Sequence, residues 1–234
     1  MTLRGRCAFV SGASSGIGAA TARALADGGA RVALAARDRD ALDALAGELP
    51  GSTATPCDVR DARSVDDAIG AAVRSFGGLD LVVTAAGLGR FGDTASFSVE
   101  DWDEVVDVDL RGTFLVVRAA LPHVRRAKGH IFTLSSIAAT RPFAGSAAYC
   151  AAKAGVRAFA QVVAEENRRD GVRVTNLVVG AVNSPFWEHA GGTELARDRM
   201  LKPDDVARAI AVAASQPATT SLDEIVLMPP DGVL

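Results

Sequence analysis

The chain has 234 residues, 49% of them hydrophobic but only 5% aromatic, so its core must be packed mainly by Ala, Val and Leu. A net charge of −3, an isoelectric point near 5.6 and scattered arginines exclude an electrostatic nucleic-acid binder, which carries a clustered basic face. Cys7, Cys57 and Cys150 are odd in number and lack metal-ligand spacing, which excludes a disulfide scaffold and reads as reduced thiols in a cytoplasmic protein without a metal site.

Short apolar, β-branched runs predict strands at Cys7–Val10, Val32–Ala35, Thr53–Cys57, Leu81–Thr84, Ile131–Leu134, Val172–Val178 and Glu224–Leu227. Between them, Ala-rich stretches predict helices over Gly16–Asp27, Asp40–Glu48, Ala62–Phe76, Val99–Val124, Ala147–Asn167 and Pro203–Ala214. Ser64 and Ser98, each followed by acidic residues, have the form of N-terminal caps, and Gly77-Gly78 has the form of a helix stop. Such alternation predicts one doubly wound α/β domain over residues 1–234, with a parallel sheet covered on both faces. No leader peptide is expected before Cys7, and no apolar run approaches the ~20 residues that span a bilayer. The least regular stretch, Asn183–Leu201, contains Pro185, Gly191 and Gly192 and is expected to be a substrate loop or lid.

The first strand enters Ser11-Gly12-Ala13-Ser14-Ser15-Gly16-Ile17-Gly18 and passes directly into the first helix. Glycines there permit positive φ and let a pyrophosphate approach backbone amides at the positive end of the helix. After the second strand comes Ala35-Ala36-Arg37-Asp38. A neutral residue where an acid would hold a ribose 2′-hydroxyl, followed by Arg37, favours NADP(H) over NAD(H). A one-residue shift of that loop would instead bring Asp38 to the ribose.

Tyr149 is the only tyrosine, and Lys153 lies one helical turn beyond it. Ser136 stands thirteen residues upstream of Tyr149, with Ser135 as the alternative hydroxyl. An unperturbed phenol, with pKa near 10, is a weak base at neutral pH, and an adjacent ammonium favours the phenolate. Tyr149 is therefore the candidate general acid/base, Lys153 its electrostatic partner and Ser136 the group that polarises a carbonyl oxygen.

With these motifs in place the chain resembles the short-chain dehydrogenase/reductase family from Arg6 to about Leu227. Its glycine turn, Cys57-Asp58-Val59, Thr84-Ala85-Ala86-Gly87, the Ser136–Tyr149–Lys153 set and Val179-Gly180-x-x-x-Ser184 all fall on family motifs. The resemblance implies a Rossmann-type, seven-stranded parallel sheet in the order 3-2-1-4-5-6-7. It also implies cofactor contacts from Gly12, Ser14, Ser15, Gly16, Ile17, Gly18, Arg37, Asp58, Val59, Thr84, Ala86, Gly87, Val182 and Ser184, besides Tyr149 and Lys153. Three positions depart from the family pattern: Thr84 replaces an asparagine, Val179 replaces a proline, and Asp109 replaces the fourth catalytic residue, also an asparagine. In the family that last residue helps hold a water linking the lysine to solvent. A carboxylate there would favour the ammonium, offset part of its field at Tyr149, and make the tyrosine ionise at higher pH than in relatives.

The expected activity is NADP(H)-dependent interconversion of a carbonyl and a primary or secondary alcohol. The alternative is a catalytically weak dinucleotide-binding sensor of the same fold. Leu88–Phe91, Ile137–Phe143 and Asn183–Met200 should line the substrate pocket, with Phe91, Phe143, Phe186 and Trp187 as aromatic walls. Arg90, Arg141, Glu188 and His189 are either readers of a polar substituent or solvated loop charges. The resemblance further implies a homodimer or homotetramer, its copies meeting through the Val99–Val124 and Ala147–Asn167 helices.

Overall fold

Every residue of β1 (Cys7–Ser11), β4 (Leu81–Thr84), β5 (His130–Ser136) and β6 (Arg173–Val179) is buried. Continuous apolar runs behave this way when helices cover both faces of a parallel sheet. In the computed structural model, which describes residues 2–190 and 196–232, these strands join β2 (Arg31–Ala36), β3 (Thr53–Pro56) and β7 (Glu224–Leu227). The result is one parallel sheet in the expected order, β3-β2-β1-β4-β5-β6-β7.

The helices are α1 (Gly16–Asp27), α2 (Arg39–Glu48), α3 (Ala62–Phe76), α4 (Val99–Val105), α5 (Gly112–Ala127), α6 (Ala147–Asn167), the short α7 (Phe186–His189) and α8 (Pro203–Ala214). The two-residue period of the strands sorts side chains between two cores. Ala8, Val10, Val32, Leu34, Leu81 and Val83 pack with Ala22 and Leu25 of α1, Leu42 of α2 and Ile210 of α8. Their neighbours Phe9, Ala33, Ala35 and Val82 face the opposite layer, with Ile69 of α3, Val116 of α5 and Val163 of α6. At roughly 1.5–3 kcal/mol for each large side chain buried, these two layers dominate the favourable side of folding.

Two local expectations are corrected. Helix α3 is capped by Asp61, whose carboxylate accepts from Arg63 N. Ser64 instead turns back to accept the Asp58 N–H at 3.0 Å, which pins the loop after β3. The stretch Val99–Val124 is two α-helices, capped at its start by Ser98 as expected but interrupted by a π-helical segment at Val106–Arg111. An added residue in a helical turn rotates everything beyond it, and such insertions concentrate at functional sites. This one carries the fully buried Asp109.

His130, at the start of β5, is 1% exposed. Thr175 Oγ1 donates to Leu222 O, so its lone pair accepts from His130 Nε2–H at 2.7 Å, and Nδ1 is left bare. Burial, then the positive charges of Arg173 and Arg6, pushes the imidazole down to about 3. A folded-state pKa below the unfolded value of about 6.5 means the unfolded chain binds the extra proton as pH falls. Stability is thus fully present above about pH 6.5 and declines towards pH 3, by about 2 kcal/mol at pH 5. Unfolding free energies from urea titrations at pH 7.5 and 5 are expected to differ by about 2 kcal/mol less in His130→Gln than in the parent; an equal difference would count against the assignment.

Candidate active site

All the candidate residues collect beyond the carboxyl ends of the strands, where open α/β sheets bind ligands. The reason is local: the carboxyl ends of β1 to β6 carry the glycine turn, Arg37, Asp58-Val59, Thr84–Gly87, Ser136 and Val182–Ser184. That end of the sheet gathers six loops, and α6 brings Tyr149 and Lys153 to it. Between β1 and α1, Gly12 and Gly16 have φ of 68° and 52°. A Cβ on Gly12 would lie 2.7 Å from the Ala85 and Ala86 backbone, and one on Gly18 would lie 2.1 Å from Gly12 O. Gly18 is therefore demanded by the turn itself rather than by a ligand. Ser11 Oγ accepts from Ala86 N at 3.3 Å and ties this turn to the one after β4.

Helices α2, α3 and α4 are capped by Asp38, Asp61 and Ser98, but α1 has no side-chain cap and no acid in its first turn. Its N-terminal amides and the hydroxyls of Ser14 and Ser15 are a donor set suited to a phosphate, so the residues present fit the pyrophosphate of a dinucleotide. Ile17 packs its side chain on the core below. Ser184 leans over the turn, 3.3 Å from where a Gly16 Cβ would be. Val182 is buried, paired in a parallel bridge with Leu201 and accepting Trp187 Nε1–H at 2.9 Å.

At the far end of the cleft Arg37 is exposed, whereas the Asp38 carboxylate is engaged by Ala41 N at 3.0 Å as the cap of α2. The carboxylate of Asp58 is gripped by Arg60, whose Nη2 lies 2.6 Å away and whose backbone N–H also donates to it. That pairing, foremost the Arg60 side-chain bond, holds Asp58 below the usual carboxylate range. Val59 fits against Gly112, where a Cβ would come within 2.8 Å of it. Thr84 is buried, its hydroxyl 3.5 Å from Phe132 O. Arg60 went unnoticed in sequence, although its spacing from Asp58 was a usable signal.

Tyr149 and Lys153 lie one turn apart on one face of α6, and the Lys153 Nζ is 5.5 Å from the centre of the tyrosine ring. Small residues bring another face of α6, that of Ala148, Ala152 and Gly155, close to the π-helical segment: a Cβ on Gly155 would lie 2.9 Å from Leu110. The Ser136 hydroxyl accepts from Ala138 N at 3.2 Å, and its side chain favours the ionised form of the Tyr149 phenol. Ser135 is excluded from that role, because it donates to Leu177 O and accepts from Asn176 within the sheet. Cys150 contacts Ser146 Oγ at 3.0 Å and has no base beside it.

Asp109 reaches into this cluster from the π-helical segment. Its Oδ2 stands 2.9 Å from Lys153 Nζ, the two side chains being 0% and 8% exposed, close but not aligned as a hydrogen bond. Its Oδ1 accepts from Leu88 N at 2.8 Å, and Lys153 also donates to Leu134 O at 3.2 Å. The Asp109 carbonyl accepts from Thr113 Oγ1 at 2.7 Å. Gly87 lies directly on the pair, where a Cβ would be 3.3 Å from both charged atoms. The main-chain partners Leu88 and Leu134 have no signature in sequence.

Burial raises the Tyr149 pKa; Lys153 lowers it, the Asp109 carboxylate raises it, and the balance is upward. Burial alone would discharge Lys153, but Asp109 and Tyr149 outweigh it and hold the ammonium above its ordinary value. Asp109 is itself raised by burial, against the pull of Lys153 and the Leu88 amide.

Phe91, Phe143, Phe186 and Trp187 gather beside Tyr149. The Arg90 guanidinium is bound by Glu104 at 2.9 Å and Asp101 at 3.4 Å, Arg141 is exposed, and Glu188 lies 3.8 Å from Arg197. The expected loop Asn183–Leu201 contains α7 and a 3₁₀ turn at Arg197–Arg199. Residues 191–195, with Gly191 and Gly192, and the His189 side chain lie outside what the structure describes. Among the described residues no helix is long and apolar enough to cross a membrane, and no three His, Cys, Asp or Glu side chains stand together as metal ligands.

A sheet of this order with a glycine turn, a tyrosine and a lysine at its carboxyl edge defines a nucleotide-dependent oxidoreductase class. The short chain dehydrogenase family model matches residues 6–194, and the chain belongs to that family. It is 34% identical over 226 residues to an uncharacterized oxidoreductase of Staphylococcus epidermidis, covering 96% of this chain and 97% of that protein. Among solved structures it resembles an alcohol dehydrogenase from the archaeon Thermococcus sibiricus complexed with 5-hydroxy-NADP, at 32% identity and TM-score 0.89, covering 96% of this chain and 97% of that one. It also resembles a 3-ketoacyl-(acyl-carrier-protein) reductase from Brucella melitensis complexed with NADH, at 30% identity and TM-score 0.90, covering 97% and 98%.

Proposed function

We propose that the protein is an NADP(H)-dependent reductase of ketones or aldehydes, working through Tyr149. The observation that carries this reading is the set at the carboxyl ends of the strands: half-buried Tyr149 beside buried Ser136 and Lys153, above an α1 that has no side-chain cap. When bound, the dinucleotide supplies a hydride to the carbonyl carbon. Ser136 donates a hydrogen bond to the carbonyl oxygen, and Tyr149 Oη passes its proton to that oxygen as negative charge develops there. Lys153 stabilises the phenolate left behind and is placed to bind a nicotinamide ribose. A phenol whose pKa is raised stays protonated at neutral pH, which favours proton donation and hence reduction over alcohol oxidation.

Preference for the 2′-phosphate is supported by exposed Arg37 and by the diversion of Asp38 into a helix cap. Binding is assigned to Gly12, Ser14, Ser15, Gly16 and Ile17 of the turn, which Gly18 shapes, and to Arg37, Asp58, Val59, Thr84, Ala86, Gly87, Val182 and Ser184. A charge-assisted bond to phosphate contributes about 1.5–3 kcal/mol, so Arg37→Ala is expected to weaken NADPH binding roughly 10- to 100-fold. NADH affinity, read by the same fluorescence titration, should stay within about threefold. Equal losses for both would overturn the assignment.

The same reading makes the protein a single-domain homo-oligomer of the cytoplasm, in keeping with three free cysteines. Phe114 on α5 and Val162 on α6 are 43% and 54% exposed, as suits helices that pack on a second copy. NADPH consumption against a panel of ketones and aldehydes tests the activity. Tight NADPH binding with no turnover, unaltered in Tyr149→Phe, would favour the dinucleotide sensor instead.

A further inference from the structure

Twelve Phe, Trp and Tyr residues are spread over the chain, and five of them meet at one place. Phe91 is the hub: its ring centre lies 5.9 Å from Phe143, 5.8 Å from Tyr149, 6.5 Å from Phe186 and 6.3 Å from Trp187, the last nearly parallel at 22°. Phe186 in turn lies 5.6 Å from Tyr149 and stands edge-on to Trp187 at 5.1 Å. These residues come from two loops, α6 and α7, so the cluster is a tertiary construction rather than an accident of neighbouring positions.

Three details say what the cluster accepts. The Trp187 N–H is spent on Val182 O, which fixes the loop and leaves the indole face for stacking. The Arg90 guanidinium, beside Phe91 in the chain, is bound by carboxylates of α4, so it is not the group that would select an anionic substrate. The Phe186 ring rests on Gly89, where a Cβ would come within 2.5 Å of the ring. Phe186 thus fills a slot shaped for a flat six-membered ring, lying against the Tyr149 phenol.

Resting on the reductase reading above, we infer that the substrate is a neutral aryl ketone or aryl aldehyde whose ring takes the slot of Phe186. The exchange conserves contacts: the incoming ring recovers the partners that Phe186 gives up, Phe91 and Trp187 edge-to-face and Tyr149 tilted at 54°. Ring centres in that slot and in Tyr149 are 5.6 Å apart, so the inference directs the carbonyl, one bond from the ring, towards the Tyr149 and Ser136 hydroxyls. A saturated ring of equal size fills the slot but returns none of the directional ring contacts.

The test compares acetophenone with cyclohexyl methyl ketone, which have the same carbon count and the same carbonyl. In the parent protein with NADPH, kcat/KM is expected to favour the aryl ketone by about tenfold, and Phe91→Leu should cut that ratio to about twofold. In a Trp102→Phe background, where Trp187 is the remaining indole, 1-phenylethanol should alter the emission saturably and 1-cyclohexylethanol at least tenfold more weakly. Ratios within twofold for both ketones would overturn the aryl assignment and leave the reductase reading standing. Turnover of neither ketone would count against the reductase reading, and the emission titration would then decide the slot: selective binding of the aryl alcohol supports it, equal or absent binding overturns it.

Discussion

Tyr149→Phe is expected to lower kcat for carbonyl reduction by roughly 10²- to 10⁴-fold, the contribution typical of a positioned general acid. The substitution removes one oxygen and nothing else. The ring remains to meet Phe91 at 5.8 Å and Phe186 at 5.6 Å, so the aromatic cluster should persist. Melting temperature and NADPH affinity are expected to stay near those of the parent, because the phenol is only one of several groups assigned to the cofactor. What is lost is the proton delivered as the alkoxide forms. A variant that retains more than a tenth of the parent kcat would remove Tyr149 from the mechanism. The comparison is made by following NADPH oxidation under saturating substrate, so that a change in affinity cannot pass for a change in chemistry.

The second large effect concerns the pair at 2.9 Å between Lys153 and Asp109. Lys153→Met leaves a carboxylate with 0% exposure and one remaining bond, from Leu88 N. Removing one partner of a buried pair costs about 3–5 kcal/mol, because the other charge stays buried without compensation. The double variant Lys153→Met/Asp109→Asn is expected to recover most of that loss in urea denaturation. A Lys153→Met protein as stable as the parent, or a double variant no better than the single one, would show that the pair carries no such energy.

Asp109→Asn alone reports on chemistry. Burial, foremost, keeps the tyrosine pKa high, and the Asp109 carboxylate adds to it against Lys153. Taking the carboxylate away lowers the Tyr149 pKa, so more phenolate is present at any given pH. Alcohol oxidation, which needs the phenolate, should then begin at lower pH, and the alkaline decline of ketone reduction should move to lower pH as well. Identical pH–rate profiles for Asp109→Asn and the parent would mean that the carboxylate does not act on the tyrosine.

Much of this site was legible before any coordinates. Strand ends are marked by abrupt changes from apolar runs to Gly, Ser, Asp and Asn, so the residues at the carboxyl edge could be placed from pattern alone. The i, i+4 spacing of Tyr149 and Lys153 put them on one helical face without further information. Less was legible where the main chain supplies the partner. The Leu134 carbonyl under Lys153 and the Leu88 amide on Asp109 depend on how loops cross, not on side-chain type. The split of Val99–Val124 was also hidden, since a π-helical turn keeps helical composition and changes only the phase of the side chains that follow.

The ordering of local elements, their apolar faces, the glycine turn between β1 and α1 and the placing of Tyr149 and Lys153 on one helical face were determined by the sequence itself, because each depends on neighbours within a few residues. Tertiary structure alone decided that Asp109 pairs with Lys153 and that five aromatic rings from two loops, α6 and α7 meet in one cluster. Those outcomes depend on distances between segments far apart in the chain, which only the closed sheet and the packing of its two layers can set.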